Sequence, residues 1–429
     1  MRRTTLVLAA TVVAVLGSAC GGSAGPSSPG PTGAAASPSV AASHDPLADD
    51  LAFLDTQVRA LHPDPFADNP ESAWVAKLDE LRTTLPTATP DQRVVQLASL
   101  VGLLDTHSAL LGPYDSYLHA YDVVLYPFSD GWFVVRAKDK TLVGDRVVSI
   151  GGHPIGDVEA ALRPLVPADN ESGKLDGLQG VISTVEYLHG LGIVDDPAKP
   201  AFVFARPDGT EVTVDVTRSD LATWGFSLDI VGGLLGDAPA AVARRKEPVW
   251  TRLDKPTKTF VISYNDYTEN DLAPALAAMK SALDDGSGTR VLLDMRYIRG
   301  GNGSLATPLT DALKGDPRID RPGGLIVMIG RENVSAGTVV ARTLDTETQA
   351  ILVGEMTPAR ADNFLCECND IALPNIGLTV EVPTFRFGIG DKRLAIEPDV
   401  PVALSAADFF AGKDPALKVA LALKDPPTP

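Results

Sequence analysis

The sequence predicts a mixed α/β protein whose last third forms a layered α/β core. Apolar residues recur at helical spacing over residues 46–111, at every second position from about Tyr121, and in alternating strand-length and helix-length runs from Thr259 onward. Repeats of about 3.6 and 2 residues are those of helices and strands, and their alternation favours a parallel sheet covered by helices. A chain of 429 residues has room for more than one domain.

The first 20 residues predict an export signal. Arg2 and Arg3 precede an apolar run over residues 6–16, and small residues then lead to Cys20. The run is too short to span a membrane as a helix. The small residues before Cys20 resemble a bacterial lipobox, with Gly17 in place of the usual aliphatic residue, and this resemblance implies lipidation of Cys20. A plain secretory signal cleaved nearby is the alternative.

Residues 21–45 are rich in Gly, Ser, Pro and Ala and show no periodicity. This composition predicts a flexible tether rather than a folded segment. Together with the signal, the tether indicates an extracytoplasmic protein of the cell envelope, lipid-anchored to the bacterial membrane.

The net charge argues against a nucleic-acid partner, and the cysteine spacing argues against a zinc site. With 37 Lys and Arg against 55 Asp and Glu, the net charge of −18 repels nucleic-acid phosphate, so we expect no nucleic-acid partner. Cys366 and Cys368 are one residue apart, which is poor spacing for an unstrained disulfide and lacks the second pair that a zinc site needs. We therefore expect buried structural thiols, and a strained or redox-active pair outside the cytoplasm is the alternative. The sequence gives no sign of a metal or organic cofactor.

Residues 46–115 are predicted to form a helical domain. Apolar residues at helical spacing include Leu51, Leu54 and Val58, then Trp74 and Leu78, then Val94 and Leu97. Prolines between these groups predict separate helices rather than one long helix.

Residues 116–220 are predicted to form a β-rich domain with a helical insert. Period-two runs predict strands within residues 131–136, 142–155, 201–205 and 211–216. Pro207-Asp-Gly209 has the composition of a hairpin turn between the last two runs. Residues 142–155 loosely resemble the pattern of PDZ domains, but the helical segment that follows is longer than the usual PDZ connection. Residues 221–255 are predicted to be a connecting segment.

Residues 256–429 are predicted to form the catalytic α/β core. Strands are expected at residues 259–263, 290–294, 325–329 and 350–353, with helices at 272–283, 305–313 and 338–344. Reactive groups in such sheets lie beyond the carboxyl ends of the strands. Two loops occupy such places: the one from Asp294 to Gly303, which is rich in glycine, and the one from Ile329 to Ser335.

Ser335 is the candidate nucleophile because it stands where a strand turns into a helix. Such a turn presents the hydroxyl at the edge of the sheet, and the first N–H groups of the helix face the developing oxyanion. The backbone N–H of Ala336 is one expected donor. A serine that only caps the following helix is the alternative interpretation of this position.

Four segments together carry a resemblance to a known family. They are Val291-Leu-Leu-Asp-Met-Arg296 with Gly300-Gly301, Val334-Ser-Ala-Gly337, Ile351-Leu-Val-Gly-Glu-Met-Thr357 and Ile396-Glu-Pro-Asp-Val400. In order and spacing they resemble the catalytic core of the tail-specific (C-terminal processing) serine proteases. Leu104-Asp-Thr-His-Ser108 and His62-Pro63 look like features of the tricorn-core and retinoid-binding-protein branch. The resemblance implies a crotonase-like core.

The resemblance also implies roles for further residues. The processing-protease branch uses a lysine soon after the Gly-Glu-x-Thr motif, but here that stretch runs into Arg360, which stays protonated and cannot act as a base. In the tricorn-like branch a histidine serves, and His107 occupies its place, with Thr106 where an auxiliary serine would stand. Gly300 or Gly301 would supply the second oxyanion N–H, although glycines there also suit a tight turn.

A third catalytic residue is harder to place. The tricorn-like pattern uses a late Glu a few residues before Pro398-Asp399, and that position falls near Lys392. Asp391 and Glu397 are the nearest carboxylates, and Asp391 is preferred.

These features predict an exported serine peptidase in which Ser335 forms an acyl-enzyme and His107 is the general base. The expected partner is a peptide or protein substrate, which the PDZ-like strand edge would bind by β-augmentation. Two alternatives stay open. One is a catalytically inactive peptide- or small-ligand-binding lipoprotein on the same fold, and the other is an esterase-like hydrolase.

Overall fold

The computed structural model describes residues 45–112, 118–220, 239–267, 271–365, 368–388 and 390–423. The predicted signal, Cys20 and nearly all of the tether lie outside these residues, as does about half of the predicted connecting segment. Asp45–Pro429 form one compact unit, so the domain boundaries within it stay a prediction. Across the described ranges, no helix has both the length and the apolar character that crossing a membrane requires.

The amino-terminal helices form as predicted, and each begins at a proline-marked boundary. α1 starts at Pro46 behind the cap Asp45, whose carboxylate accepts from the N–H of Leu47 at 3.0 Å. Thr89 and Gln92 form a reciprocal capping box before α3.

The helices of the described residues are α1 (Pro46–Leu61), α2 (Glu71–Thr84), α3 (Pro90–Val101), α4 (Ile155–Leu162), α5 (Glu171–Val181), α6 (Val185–Gly190), α7 (Ala240–Ala243), α8 (Ala273–Asp284), α9 (Thr307–Gly315), α10 (Ala336–Glu347), α11 (Ala406–Phe410) and α12 (Pro415–Ala422).

The strands fall into several sheets, so the fold is mixed α/β, as predicted. They are β1 (Ala109–Leu111), β2 (His119–Tyr121), β3 (Val123–Phe128), β4 (Gly131–Ala137), β5 (Arg146–Ile150), β6 (His153–Pro154), β7 (Phe202–Ala205), β8 (Glu211–Val214), β9 (Arg218–Asp220), β10 (Val249–Asp254), β11 (Thr259–Tyr264), β12 (Arg290–Asp294), β13 (Leu325–Ile329), β14 (Ile351–Gly354), β15 (Asn363–Leu365), β16 (Asn369–Leu373), β17 (Leu378–Val382), β18 (Phe385–Phe387) and β19 (Val400–Pro401).

The last third contains the predicted alternation of strands and helices. A six-stranded sheet has the order β10-β11-β12-β13-β14-β19, and β11 to β14 pair in parallel. β12 and β13 span the predicted residues, because continuous runs of buried apolar side chains give both strands clear ends. In the register of this sheet, Asp294 lies beside Met328, so the loops that follow the two strands leave the same edge.

The β-rich segment forms a sheet of order β3-β4-β5-β7-β8, with β6 paired to β5. The predicted hairpin is present, since β7 and β8 pair antiparallel from Phe202↔Val214 to Ala205↔Glu211. The helices α4, α5 and α6 occupy the predicted helical insert. The strand expected from residue 142 begins instead at Arg146, because residues 140–142 form a short 3-10 turn. The PDZ-like character of this segment stays a prediction.

The helical prediction is wrong at residues 109–111, which form the edge strand β1. This strand pairs antiparallel with β17, for example Ala109↔Glu381 and Leu111↔Thr379, and β16 completes the sheet. Asp50 of α1 secures the β16–β17 turn, because its carboxylate accepts from the N–H of Ile376 at 2.8 Å. The β16–β17 hairpin therefore packs with the amino-terminal helices, in the same hydrophobic core.

The cysteines correct a second expectation. Cys368 is disulfide-bonded, so it is not the buried thiol that the spacing suggested. Its partner cysteine lies outside the described residues. A disulfide is compatible with the predicted extracytoplasmic location, because that environment is oxidising.

Candidate active site

Ser335 lies at a strained turn between β13 and α10. Its backbone angles are φ 55° and ψ −125°, a region that residues with a Cβ rarely adopt. Within the described turn, its hydroxyl makes no capping hydrogen bond to α10, which disfavours the interpretation that Ser335 is an ordinary helix cap. Strained strand-to-helix turns of this kind present a nucleophilic side chain at the top of a sheet.

Asn333 holds this turn in place. It is fully buried, its Oδ1 accepts from the N–H of Gly330 at 2.7 Å, and its Nδ2 donates to the carbonyl of Met295. Thr338 of α10 donates its hydroxyl to the Asn333 carbonyl. These bonds join the turn to β12, β13 and α10, so the surrounding structure fixes the conformation of the next residues. Asn333 was not predicted as a site residue, because its only local signal in the sequence is its place in the turn.

The glycine loop lies directly against Ser335. A Cβ added to Gly300 would lie 2.9 Å from the Ser335 Cβ and 3.4 Å from its Oγ. Gly300 and Gly301 have φ of 133° and 111°, and Gly301 forms a parallel bridge with Tyr267. The structure therefore brings Ser335, Ala336 and the two glycines together. Their roles as nucleophile and oxyanion donors stay predictions.

A cleft of about 730 Å³ opens at Ser335. The glycine loop and α9 form one side of it, the first turns of α10 form another, and β18 contributes exposed aromatic side chains. The described lining residues are Gly301, Asn302, Gly303, Ser304, Thr307, Thr310, Asp311, Lys314, Ser335, Ala336, Val339, Val340, Thr343, Phe385 and Phe387. His107 is not among these described lining residues.

His107 lies in a buried cluster around Asp105. Its backbone N–H donates to Asp105 Oδ1 at 2.7 Å, and its Nδ1 lies 4.0 Å from the same oxygen. Asp105 Oδ2 accepts from the Ser108 hydroxyl at 3.0 Å and lies 2.5 Å from Nε2 of His62. Although His and Asp side chains meet here, no group of three or more His, Cys, Asp or Glu in the described ranges is arranged to hold a metal ion.

Burial and charge set the protonation of this cluster. Burial lowers the pKa of His107 below its ordinary value of 6.5. The negative charges of Asp105 and Asp169 act to raise this pKa, but burial has the larger effect. Burial also acts to raise the pKa of Asp105, but the hydrogen bond and charge of His62 outweigh it and the pKa is lowered. His107 is therefore neutral near pH 7, in the state in which it can accept a proton.

Asp169 and Arg360 tie the His107 loop to the segment after β14. Asp169 donates its N–H to Thr106 Oγ1 at 2.8 Å, and that hydroxyl donates to the carbonyl of Pro358 at 3.0 Å. Arg360 donates its backbone N–H to Asp169 Oδ2 at 2.8 Å, and its guanidinium pairs with both Asp169 and Asp68. Burial and the charge of Asp169 raise the pKa of Asp68 to about 6. No local sequence signal marked Asp68 or Asp169.

The two carboxylates predicted as the third catalytic residue lie in other surroundings. Asp391 accepts from Nη2 of Arg393 at 2.8 Å and lies 3.4 Å from Nε of Arg342 in α10. Glu397 is exposed. Neither is among the charged groups that act on His107, which are Asp105, Asp169 and His62. The structure thus places other carboxylates beside His107.

Comparison with known proteins places the fold. No family model matches the sequence, and no curated protein matches it. The solved structure of mature CPAF superposes over 87% of this chain and 95% of its own, with a TM-score of 0.59 and 16% identity. The chain has the fold of mature CPAF. The complex of mature CPAF with lactacystin gives a TM-score of 0.60 at 16% identity, over 88% and 97% of the two chains.

A more distant match is the photosystem II D1 C-terminal processing protease. It covers 86% of this chain and 98% of its own at 16% identity, with a TM-score of 0.39 that is too low to indicate a shared fold. The likeness to CPAF therefore establishes the fold, and the chemistry has to be argued from the residues of the site.

Proposed function

We propose that this protein is a serine peptidase of the tail-specific family, with Ser335 as its nucleophile. The observation that carries the proposal is the backbone of Ser335, held at φ 55° at the end of a central strand with Gly300 against it. Strain of this kind costs about 1–3 kcal/mol and is found where function requires it. The fold shared with mature CPAF, which has been solved in complex with lactacystin, supports the same assignment.

The proposed reaction is acyl transfer to water. Ser335 Oγ attacks a peptide carbonyl, and the N–H groups of Ala336 and of Gly300 or Gly301 stabilise the oxyanion. His107 takes the serine proton and returns it to the leaving amine. Lys314 also lines the cleft, but its hydrogen bond with Glu347 raises its pKa, so it stays protonated and is unsuited to act as the base.

The support for His107 as base comes from its sequence motif and its neutral state. Asp105, Thr106 and His107 match the tricorn-like pattern, and the pKa of His107, lowered by burial, leaves its imidazole neutral near pH 7. We further propose that the core over residues 256–429 is crotonase-like and that residues 116–220 act as a PDZ-like peptide-binding segment. Export and lipid anchoring at Cys20 rest on the pattern of the first 20 residues.

A second candidate function is peptide or small-ligand binding without turnover. The observation that favours it is the position of His107, whose side chain is 7% exposed and lies beside Asp105, whereas the described lining of the cleft includes Ser335 and not His107. A protein that only binds would still have the cleft and the fold.

Labelling with a fluorophosphonate probe separates the two functions. The protein lacking residues 1–43 is compared with its Ser335→Ala and His107→Ala variants. Ser405→Ala is the matched control, because Ser405 also precedes a helix but has ordinary angles of φ −86° and ψ 153° and caps it. We expect labelling in the wild type and in Ser405→Ala, and none in the other two variants. A folded wild type that does not label would contradict the peptidase and favour the binding protein.

A further inference from the structure

Two exposed phenylalanines line the cleft at Ser335. Phe385 and Phe387 are 52% and 41% exposed, among the most exposed large apolar side chains of the described residues. They lie two positions apart on β18, so both side chains project from the same face of the strand. Exposed apolar groups that gather in one place mark a binding surface more often than isolated ones do.

Arg386 fixes which face of β18 the two phenylalanines occupy. It lies between them in sequence, so its side chain projects to the opposite face, where its guanidinium donates to Asp362 at 2.6 Å. β18 pairs antiparallel with β15, from Asn363↔Phe387 to Leu365↔Phe385, which fixes the register. A shift by one residue would break this ion pair and turn both rings away from the cleft.

Apolar side chains also line the cleft on α10. Ala336 directly follows Ser335 and is buried, and Val339 and Val340 lie on the next turn. The same cleft therefore has apolar lining beside the proposed nucleophile and at the rings of Phe385 and Phe387, together with uncharged threonines from α9 and α10. A group held in this cleft shares the cavity into which Ser335 opens.

The charges in the cleft already have partners. Lys314 donates to Glu347 at 2.9 Å and lies 3.6 Å from Asp311. A charged side chain entering the cleft would lose hydration and find no unpaired opposite charge among the described lining residues. An apolar side chain meets no such penalty and gains by burying its surface against the two rings.

We infer that this cleft is a subsite for a large apolar side chain of a peptide, next to the carbonyl presented to Ser335, and that Phe385 and Phe387 determine this specificity. The inference rests on the proposed peptidase function for its catalytic consequence. A volume of about 730 Å³ lies within the range of sites that hold small ligands, and it leaves room for one such side chain and its flanking backbone.

Peptide binding to the full-length Ser335→Ala protein tests the subsite without depending on chemistry. The probes are fluorescein-labelled hexapeptide amides Ala-Ala-Xaa-Ala-Ala-Ala with Phe, Glu or Lys at Xaa, and fluorescence anisotropy gives the dissociation constants. We expect the Phe peptide to bind about tenfold more tightly than the other two. In Phe385→Ser and Phe387→Ser the preference should fall to about twofold, whereas Phe385→Leu should keep it.

Phe53→Ser is the matched control, since Phe53 is 47% exposed on α1 and does not line the cleft. It should leave the preference unchanged. Equal binding of the three peptides, or a preference that survives both serine variants, would overturn the subsite. Dissociation of a dimer by the serine variants without any peptide preference would also overturn it, by making a second copy of the chain the occupant. Fluorophosphonate labelling of the wild type tests the peptidase separately.

Discussion

The turn at Ser335 and the loop at His107 differ in backbone conformation. Ser335 has φ 55°, the neighbouring Gly300 and Gly301 also have positive φ, and the fully buried Asn333 bonds to backbone groups. Both places hold buried charges: Glu332 of the turn pairs with Arg245 at 2.6 Å, and the His107 loop gathers carboxylates, a second histidine and an arginine from distant segments. Backbone strain is therefore specific to the serine turn, and substitutions that test it differ from those that test buried charge.

The largest expected effect is on the charged loop. Asp105→Asn removes a buried carboxylate that bonds Nε2 of His62, the Ser108 hydroxyl and the His107 N–H, and an amide cannot satisfy all three, so the free energy of unfolding should fall by about 3 kcal/mol. Urea denaturation measures this. Asp284→Asn is the control, because its pairs with Lys280 and Arg318 are exposed and should change stability far less. Equal losses of stability in the two variants would mean that the contacts of Asp105 stabilise the protein no more than exposed ion pairs do.

The next effect is on the turn at Ser335. Gly300→Ala places a methyl group 2.9 Å from the Ser335 Cβ at a φ of 133°, so the two loops must separate. We expect the rate of fluorophosphonate labelling to fall about 100-fold, as when one oxyanion donor is displaced. Gly377→Ala is the matched control, since it has φ 84° and open space around the added Cβ. A similar loss of labelling in both variants would argue against a special role for the glycine loop.

Strain at Ser335 predicts a gain in stability. Glycine adopts φ 55° and ψ −125° without a Cβ penalty, whereas alanine carries the same penalty as serine. After the entropy cost of glycine, Ser335→Gly should be more stable than Ser335→Ala by about 1 kcal/mol. Chemical denaturation of both variants gives the difference. A glycine variant that is less stable than the alanine variant would show that the turn is not strained.

The smallest effect concerns Asp391. Hydrogen bonds from Arg393 lower its pKa from its ordinary 3.8 to about 2, so the folded protein binds this proton more weakly than the unfolded chain. Its contribution to stability is therefore present above about pH 4 and is lost as the pH falls toward 2. The wild type should lose free energy of unfolding between pH 5 and pH 2, and Asp391→Asn should lose less. Because the Asp391–Arg393 pair is partly solvated, we expect the two losses to differ by less than about 1 kcal/mol, as measured by unfolding across this pH range. If the free energy of unfolding depended on pH in the same way in Asp391→Asn and in the wild type, the Asp391–Arg393 pair would be contradicted.

The parts of the fold that depend on neighbouring residues were predictable. β12 and β13 match their expected residues because unbroken apolar runs define them, and α1 and α3 begin at prolines behind capping residues. The likeness of the chain to mature CPAF is a likeness of fold, and it agrees with the mixed α/β class predicted from the sequence. Local pattern was enough for these because their stabilising contacts are local or repeat along the chain.

The parts that depend on distant partners were not predictable. Strand β1 exists because β17 pairs with it, and residues 109–111 alone look like the end of a helical segment. The surroundings of His107 require Asp169, Asp68 and Arg360, none of which carries a motif that points to it. The positive φ of Ser335 is likewise invisible in the sequence, since Ser is a common residue before any helix.

The pairing of β1 with β17 has a consequence for the order in which the molecule is completed. The segments around Ser335 are close together in the chain, so they meet by closing short loops. The His107 loop stands two residues before a strand whose partner is made only after most of the chain has been synthesised. The sheet that carries the serine turn is also completed late, because β14 pairs with β19 and residues of α12 pack against β13 and β14. Both parts of the proposed site therefore depend on segments near the carboxyl end, so a chain truncated before residue 378 would lack partners for both.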